Sequence, residues 1–292
     1  MYKQIAANKR NTVLIMIFFV MLIAAIGWLF AYFMHDWGIA IWVLVVAIVY
    51  AVVQYFLSAQ LAVMMTGAKQ ITKRDNPRLY NTVENLSIAT GLPMPKVYII
   101  DDPAPNAFAT GRDPKHAVVA ATTGLLDIMD NKELSAVMAH EMSHVKNYDI
   151  RVSMITFGLV CIVGYITDLS VRMILYTSRN DSEDNSPVGV VVLFLVSLLA
   201  PLVASLAQLA ISREREYLAD ASAAHITRYP EGMISALKKL DTHARPMRHQ
   251  NPATEGLFIN NPLRKGSINQ LFSTHPPIEK RIERLEHGKN TF

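Results

Sequence analysis

The chain has 292 residues, of which 51% are hydrophobic, and a mean hydropathy of +0.23, a balance that favours a membrane protein with a soluble part. The net charge is +4, but no run of basic residues is interleaved with aromatic residues, so nucleic-acid binding has little support. Lysines and arginines next to the membrane explain the basicity better. A lone cysteine, Cys161, excludes an intramolecular disulfide and a C-x-x-C metal or redox site.

Two uncharged stretches near the N-terminus are long enough to cross a bilayer as helices. The first covers residues 11–34 and follows a group of basic residues, and the second covers residues 37–57 after a tight turn at His35 and Asp36. A signal peptide has a shorter apolar core and a cleavage site, and here a second span follows at once. Both stretches are therefore expected to be retained membrane anchors.

Residues 67–151 have the composition of a soluble α+β segment. A helix is predicted over residues 77–90, where Gly91 and Pro93 end it. Apolar runs with β-branched residues predict three strands, over residues 96–101, 106–111 and 116–121. A small sheet is thus expected before the next helix.

That helix, predicted over residues 131–146, contains the H-E-x-x-H motif His140-Glu141-Met142-Ser143-His144. Asp130 and Glu133 have the spacing of a capping box at its start. Side chains four positions apart share a helix face, so His140 and His144 can bind one divalent cation with Glu141 beside it. Histidines at this spacing also arise by chance on ordinary helices, so the prediction needs a third ligand elsewhere.

Two further spans are predicted, over residues 152–176 and 188–211. Asp168 and Arg172 interrupt the first of them four positions apart, either as an ion pair at the far interface or as a sign that this helix is only partly embedded. Lysines and arginines gather on the motif side of all four spans. The positive-inside rule then places both termini and the H-E-x-x-H helix in the cytoplasm.

The stretch after the fourth span offers the missing ligand. Glu216 and Asp220 lie four positions apart on one predicted helix face. Glu216 can complete a His-His-Glu zinc shell that leaves a position for water, and Asp220 can accept the free N–H of a ligating imidazole. Arg213 or Arg215 can brace one of these two carboxylates, or can belong to a solvated face.

The C-terminal part is expected to cover or open the cleft, over about residues 230–264, and to end in an amphipathic helix over residues 278–286 whose charges are solvated. The remaining histidines lack partners at ligand spacing and are expected at the surface: His116, His225, His243, His249 and His287.

Four motifs together resemble a known family, the HtpX membrane zinc metalloproteases, which are relatives of the CAAX prenyl proteases. They are the H-E-M-S-H motif followed by Asn147 and Asp149, residues 212–220, the stretch Asn106-Ala-Phe-Ala, and Ser273-Thr-His-Pro-Pro277. The resemblance covers nearly the whole chain, and no catalytic position departs from the pattern.

The resemblance implies a role for each matched position. His140, His144 and Glu216 would bind one Zn²⁺, Glu141 would be the general base, and Asp220 would orient His140. Asn106 and Ala107 would lie on the edge strand that pairs with an extended substrate. His275 would donate to the tetrahedral oxyanion, for which Tyr217 is the alternative.

These inferences predict an α-helical integral membrane protein with an α+β zincin-like (gluzincin) metalloprotease domain, made of a small sheet and the H-E-x-x-H helix. Its protease segments would be residues 67–151 and 212–292. The expected activity is a zinc endopeptidase of the cell membrane, which the resemblance assigns to misfolded or damaged membrane proteins in a stress response. The alternatives are a CAAX-type prenyl-peptide protease, which should need a larger intramembrane chamber, and a metal-stabilised scaffold without activity.

Overall fold

The computed structural model describes residues 2–161, 172, 213–248, 252–260 and 276–288 of the chain. The third predicted span falls largely outside these residues, since only 152–161 and 172 of it are described, and both are helical. The fourth predicted span and His275 lie wholly outside them.

Two long helices begin the chain, α1 over Tyr2–Met34 and α2 over Trp37–Met65. Asp36 caps α2 by accepting a hydrogen bond from the Gly38 N–H at 2.8 Å. Both helices are long and apolar enough to cross a membrane, and most of their large apolar side chains are exposed. α1 begins earlier than the predicted residues 11–34 and α2 ends later than the predicted residues 37–57, because a helix can continue past the uncharged stretch from which it was predicted.

A four-stranded sheet has the strand order β1-β2-β4-β3. The strands are Lys69–Gln70 (β1), Lys96–Ile100 (β2), Ala107–Thr110 (β3) and Val118–Thr122 (β4). β2 and β4 are parallel, and β1 and β3 pair antiparallel at the two edges. The three predicted strands are present with their ends shifted by one or two residues, while the two-residue β1 was not predicted.

The two faces of the sheet contact different parts of the molecule. On one face, Val97, Val119 and Ala121 join the main core, which also contains side chains from the helices around the H-E-x-x-H motif. On the other face, Phe108 and Ala120 pack with Ala62 of α2 and with later segments. The sheet therefore lies between the C-terminal end of α2 and the helices around the H-E-x-x-H motif.

The helices around the sheet are α3 over Pro77–Thr90, as predicted, α4 over Thr123–Ile128, and α5 over Asn131–Asn147. The predicted capping box at the start of α5 is present: the Asp130 side chain accepts from the Glu133 N–H, and the Glu133 side chain accepts from the Asp130 N–H. After Tyr148 the chain is helical again over residues 149–161 (α6). Most of α5 is buried, including every motif residue except His144, whose side chain is 14% exposed.

Three more of the described helices follow in the C-terminal part of the chain, α7 over Arg213–Thr227, α8 over Pro230–Thr242 and α9 over Ile278–Gly288. α7 and α8 pack against α5, and α9 packs against α7 and α8. The prediction that the charges of α9 are solvated is wrong for Arg281, which is 1% exposed. Arg281 shares the inward face with Leu285, so that face is not purely apolar.

Candidate active site and metal centre

Two helices bring together the three ligands predicted from sequence. His140 and His144 come from α5 and Glu216 comes from α7, and one ligand atom of each lies within 4.8 Å of the other two. The Nε2 atoms of the two imidazoles are 3.1 Å apart, and the Glu216 carboxylate oxygens lie 3.7 Å from His140 Nε2 and 3.5 Å from His144 Nε2. Within the described residues, this group is arranged to hold a metal ion.

Each imidazole is oriented from behind by a carboxylate. Asp220 Oδ1 lies 2.9 Å from His140 Nδ1, and Asp149 Oδ2 lies 3.0 Å from His144 Nδ1. When each Nδ1–H donates to its carboxylate, each Nε2 lone pair points inward. Two lone pairs facing one another at 3.1 Å repel unless a proton or a cation lies between them.

The distances fit a small tetrahedral cation. Ligand atoms about 2.0–2.2 Å from a zinc ion lie roughly 3.3 Å apart from one another, close to the 3.1–3.7 Å seen among the three side chains. The donor set also fits, since two imidazoles and a carboxylate leave a fourth position open. The residues present therefore suit a catalytic metal ion.

The electrostatics of the three candidate ligands also favour a cation. Burial of His144 disfavours its charged form, yet the hydrogen bond to Asp149 and the negative charges of Glu216 and Glu141 raise the pKa of His144 to about 9. This excess of negative charge favours any positive ion at the cluster. A bound cation would take the place of that proton.

Arg281 balances the charge on the other side of the site. Its Nε and Nη2 donate to the two Asp220 oxygens at 2.8 and 2.7 Å, and both side chains are fully buried. Burial alone would raise the pKa of Asp220, but Arg281 and His140 bring it down to about 2. Asp220 therefore stays ionised and can accept the His140 N–H.

A small cavity opens over the cluster. Glu141 lines it with the three ligand side chains, and so do Arg215 and residues 256–259. The cavity has a volume of about 30 Å³, which is room for about two water molecules. Glu141 thus shares a cavity with the candidate metal ligands, and a water molecule would fit between them.

The outer edge of β3 is paired with the chain itself. The Ile259 N–H donates to the Ala107 carbonyl at 2.9 Å, and Phe258 forms an antiparallel bridge with Phe108. Asn106 fixes this segment, since its amide donates to the Asn260 carbonyl at 2.8 Å and its side-chain oxygen accepts from the Asn260 N–H at 3.1 Å. Residues 257–260 therefore lie along the edge where a substrate strand is expected.

The other residues considered from the sequence are not part of the group of three candidate metal ligands. Tyr217 lies on another side of α7, where the Arg284 guanidinium stacks on its ring at 4.2 Å, and it does not line the metal cavity. Arg215 lies 3.6 Å from Asp149, and Arg281, not Arg213 or Arg215, is the residue that binds Asp220. Four of the histidines expected at the surface are exposed, His116, His225, His243 and His287, and the fifth, His249, lies outside the described residues.

Three residues around the site had no role in the sequence prediction. Asp149 carried a weak signal, as a carboxylate just past the end of the motif helix. Arg281 carried a clearer one, because it lies between Ile278 and Leu285 on the apolar face of its helix. Asn8 contacts Asp149, but nothing in the sequence around Asn8 distinguishes it from an ordinary polar residue near the start of a helix.

Comparison with known proteins agrees with this arrangement. The family model described as "Peptidase family M48" matches residues 73–289. A "Protease HtpX homolog" of Tropheryma whipplei (strain Twist) is 56% identical over 292 residues, which is all of both chains, and one of Ligilactobacillus salivarius (strain UCC118) is 47% identical over 98% of this chain and 99% of its own.

Among solved structures, Ste24p from S. mikatae superposes with a TM-score of 0.51 at 19% identity, over 91% of this chain and 62% of that one. That likeness concerns the fold alone, and this chain spans less than two thirds of that structure. The family match, in contrast, includes both the H-E-x-x-H helix and the helix that carries Glu216. Together with relatives that align from end to end, this shows that the chain belongs to peptidase family M48 and, within it, to the HtpX proteases.

Proposed function

We propose that the chain is a zinc endopeptidase of the cell membrane that hydrolyses polypeptides at the cytoplasmic surface. The observation that supports this most directly is the group of His140, His144 and Glu216 with Glu141 in the same cavity. Two imidazoles, one carboxylate and an open position are typical of catalytic zinc sites.

A zinc ion, when bound, supplies a Lewis acid that polarises a substrate carbonyl and acidifies water at its open position. Glu141 takes the proton of the attacking water and returns it to the amine as the peptide C–N bond breaks. Asp149 and Asp220 keep the imidazole Nδ1 atoms protonated, so that each Nε2 faces inward. Arg281 keeps Asp220 ionised without entering the cavity.

The substrate is proposed to add as a strand at the β3 edge, near Asn106 and Ala107. Residues 257–259 occupy this edge, so substrate entry requires that they give up the hydrogen bond to Ala107. Backbone pairing of this kind binds an extended peptide with little dependence on its sequence. His275 is proposed as the donor to the oxyanion.

The membrane assignment rests on α1 and α2, whose apolar side chains are largely exposed. We propose four spans, over residues 11–34, 37–57, 152–176 and 188–211, with the site on the cytoplasmic side. An active site joined directly to membrane helices can reach the ends of misfolded or damaged membrane proteins. These proteins are the proposed substrate class, in a quality-control or stress response.

The test compares Glu141→Gln with Glu214→Gln in the full-length protein. Both changes remove one carboxylate, but Glu214 is exposed and pairs with Arg284 at the surface. The wild type and both variants should contain about one zinc per chain, as a single site of this kind binds one ion. Cleavage of an unfolded membrane protein should fall about 10²–10⁴-fold in Glu141→Gln alone, because only it loses the general base.

Each other result contradicts a specific part of the proposal. A purified wild type that takes up no zinc rejects the metal site, and full cleavage by Glu141→Gln rejects the assigned base. A zinc-loaded wild type that cleaves nothing favours the scaffold alternative. Cleavage confined to prenylated peptides favours the CAAX-type alternative.

A further inference from the structure

The first apolar helix reaches the metal site through a short chain of hydrogen bonds. Asn8 of α1 donates its side-chain N–H to Asp149 Oδ1 at 2.7 Å, and the other oxygen of Asp149 lies 3.0 Å from His144 Nδ1. Asn8 is 4% exposed and Asp149 is 5% exposed. A single carboxylate therefore joins the helix expected in the membrane to a proposed metal ligand.

Asn8 also holds the end of the motif helix. The same amide nitrogen donates to the Asn147 carbonyl at 2.8 Å, so its two N–H groups bind on either side of Tyr148. Tyr148 has a left-handed backbone with φ of 61°, which is unfavourable for a residue with a side chain. Lys9 stacks on the Tyr148 ring at 4.5 Å. The start of α1 thus fixes the bend between α5 and α6.

This arrangement matters for His144 because the carboxylate behind an imidazole is effective only when it is itself held. Asp149 Oδ1 has Asn8 at hydrogen-bonding distance, while Arg215 is 3.6 Å away. Without Asn8 the carboxylate can rotate away from His144 Nδ1 or turn toward Arg215. The imidazole would then lose the contact that sets its orientation and its tautomer.

We propose that Asn8 is a positioning residue for His144, and that the metal centre reaches its full affinity only when the start of α1 is docked on the bend at residues 147–149. The inference rests on the proposed metal site but adds a residue and an element to it. It makes the first apolar helix part of the metal centre as well as an anchor.

The experiment measures zinc affinity of the full-length protein by competition with a chelator, for Asn8→Ala and for the control Asn11→Ala. Asn11 lies on the same helix and is exposed. Loss of a residue that orients a metal ligand typically weakens metal binding about 10–100-fold, and we expect a loss in this range for Asn8→Ala only. The absorption bands of the cobalt-substituted protein should also shift in Asn8→Ala, since the His144 geometry changes.

A double-mutant cycle separates this role from general packing. If Asn8 acts through Asp149, adding Asn8→Ala to Asp149→Ala should weaken zinc binding no further. Additive losses would overturn the proposal, because Asn8 would then act by another route. Thr12→Val provides a second packing control, since the Thr12 hydroxyl is buried and donates to the Asn8 carbonyl without contacting Asp149.

If Asn8→Ala does not fold, Asn8→Gln provides the same test. It keeps both amide hydrogens and moves them by one methylene group, so zinc affinity should still fall. Unchanged affinity in whichever variant folds overturns the inference and leaves the proposed protease intact, provided that the wild type binds zinc. A wild type without zinc affinity would reject the proposed function itself.

Discussion

A buried guanidinium is stable only where its charge and its donors are matched, and at Arg281 the two oxygens of Asp220 provide the match. The pair lies behind His140, so its geometry also determines how that imidazole is held. At the nearby surface, two guanidinium nitrogens of Arg284 likewise donate to the two carboxylate oxygens of Glu214, but both side chains are more than half exposed. The two pairs therefore form a matched comparison of buried and solvated ions.

We predict that Arg281→Met lowers the free energy of unfolding by about 3–5 kcal/mol, because it leaves the buried Asp220 carboxylate without its cation. Arg284→Met should change it little, since water solvates Glu214 once the partner is gone. Denaturant unfolding of the detergent-solubilised protein measures both. Equal effects of the two changes would mean that burial of the Arg281 pair has no energetic consequence.

At the scale of elements, the start of α5 is held by hydrogen bonds within the helix and to α8. Glu133 closes the capping box and also contacts α8, where Ser235 donates at 2.6 Å and Lys239 at 2.6 Å. Burial alone would raise the pKa of Glu133, but Lys239, Ser235 and the Asp130 N–H together lower it. The ionised carboxylate thus joins two helices, and its contribution should depend on pH.

We predict that Glu133→Gln destabilises the protein by about 1–2 kcal/mol at pH 7, as expected for the loss of charge-assisted hydrogen bonds. The folded pKa lies below the unfolded value of about 4.3, so this contribution is complete above the unfolded pKa and disappears as pH falls through the folded one. Unfolding of wild type and variant between pH 7 and pH 3 measures it. A difference in stability that is constant across this range would contradict the assignment.

Sequence patterns identified the elements whose signals are local. The capping box, the H-E-x-x-H helix and the helix over residues 77–90 all depend on neighbouring residues, and the structure contains each of them. The pairing of Glu216 with the two histidines also follows from a small set of metal-ligand types. These features required no knowledge of how distant segments pack.

Asp220 was predicted to orient His140, but the other residues that hold the ligands in place could not be found in that way. Asn8 and Asp149 are 141 positions apart, and Arg281 and Asp220 are 61 positions apart. The local sequence around each of these residues does not indicate which distant residue it contacts in the fold. An arginine on a helix of eleven residues rich in charge is normally solvated, and only its position on the apolar face distinguished Arg281.

For the whole molecule, the proposed topology places the turn after α1 outside the cell and the catalytic helices in the cytoplasm. The chain contains one cysteine, so Cys161→Ala gives a background without thiols. His35 lies in the exposed turn between α1 and α2, and Lys73 lies on the exposed surface of the catalytic part. A cysteine at either position can therefore react with a maleimide from the side that it faces.

We predict that a membrane-impermeant maleimide labels His35→Cys in intact cells and labels Lys73→Cys only after the membrane is opened. The reason is that the lysines and arginines lie on the catalytic side of the first two predicted spans, and this charge bias retains that side in the cytoplasm. Cleavage activity of the thiol-free background serves as the control for correct insertion. Labelling of Lys73→Cys in intact cells would place the active site outside the cytoplasm, where it would meet a different set of proteins.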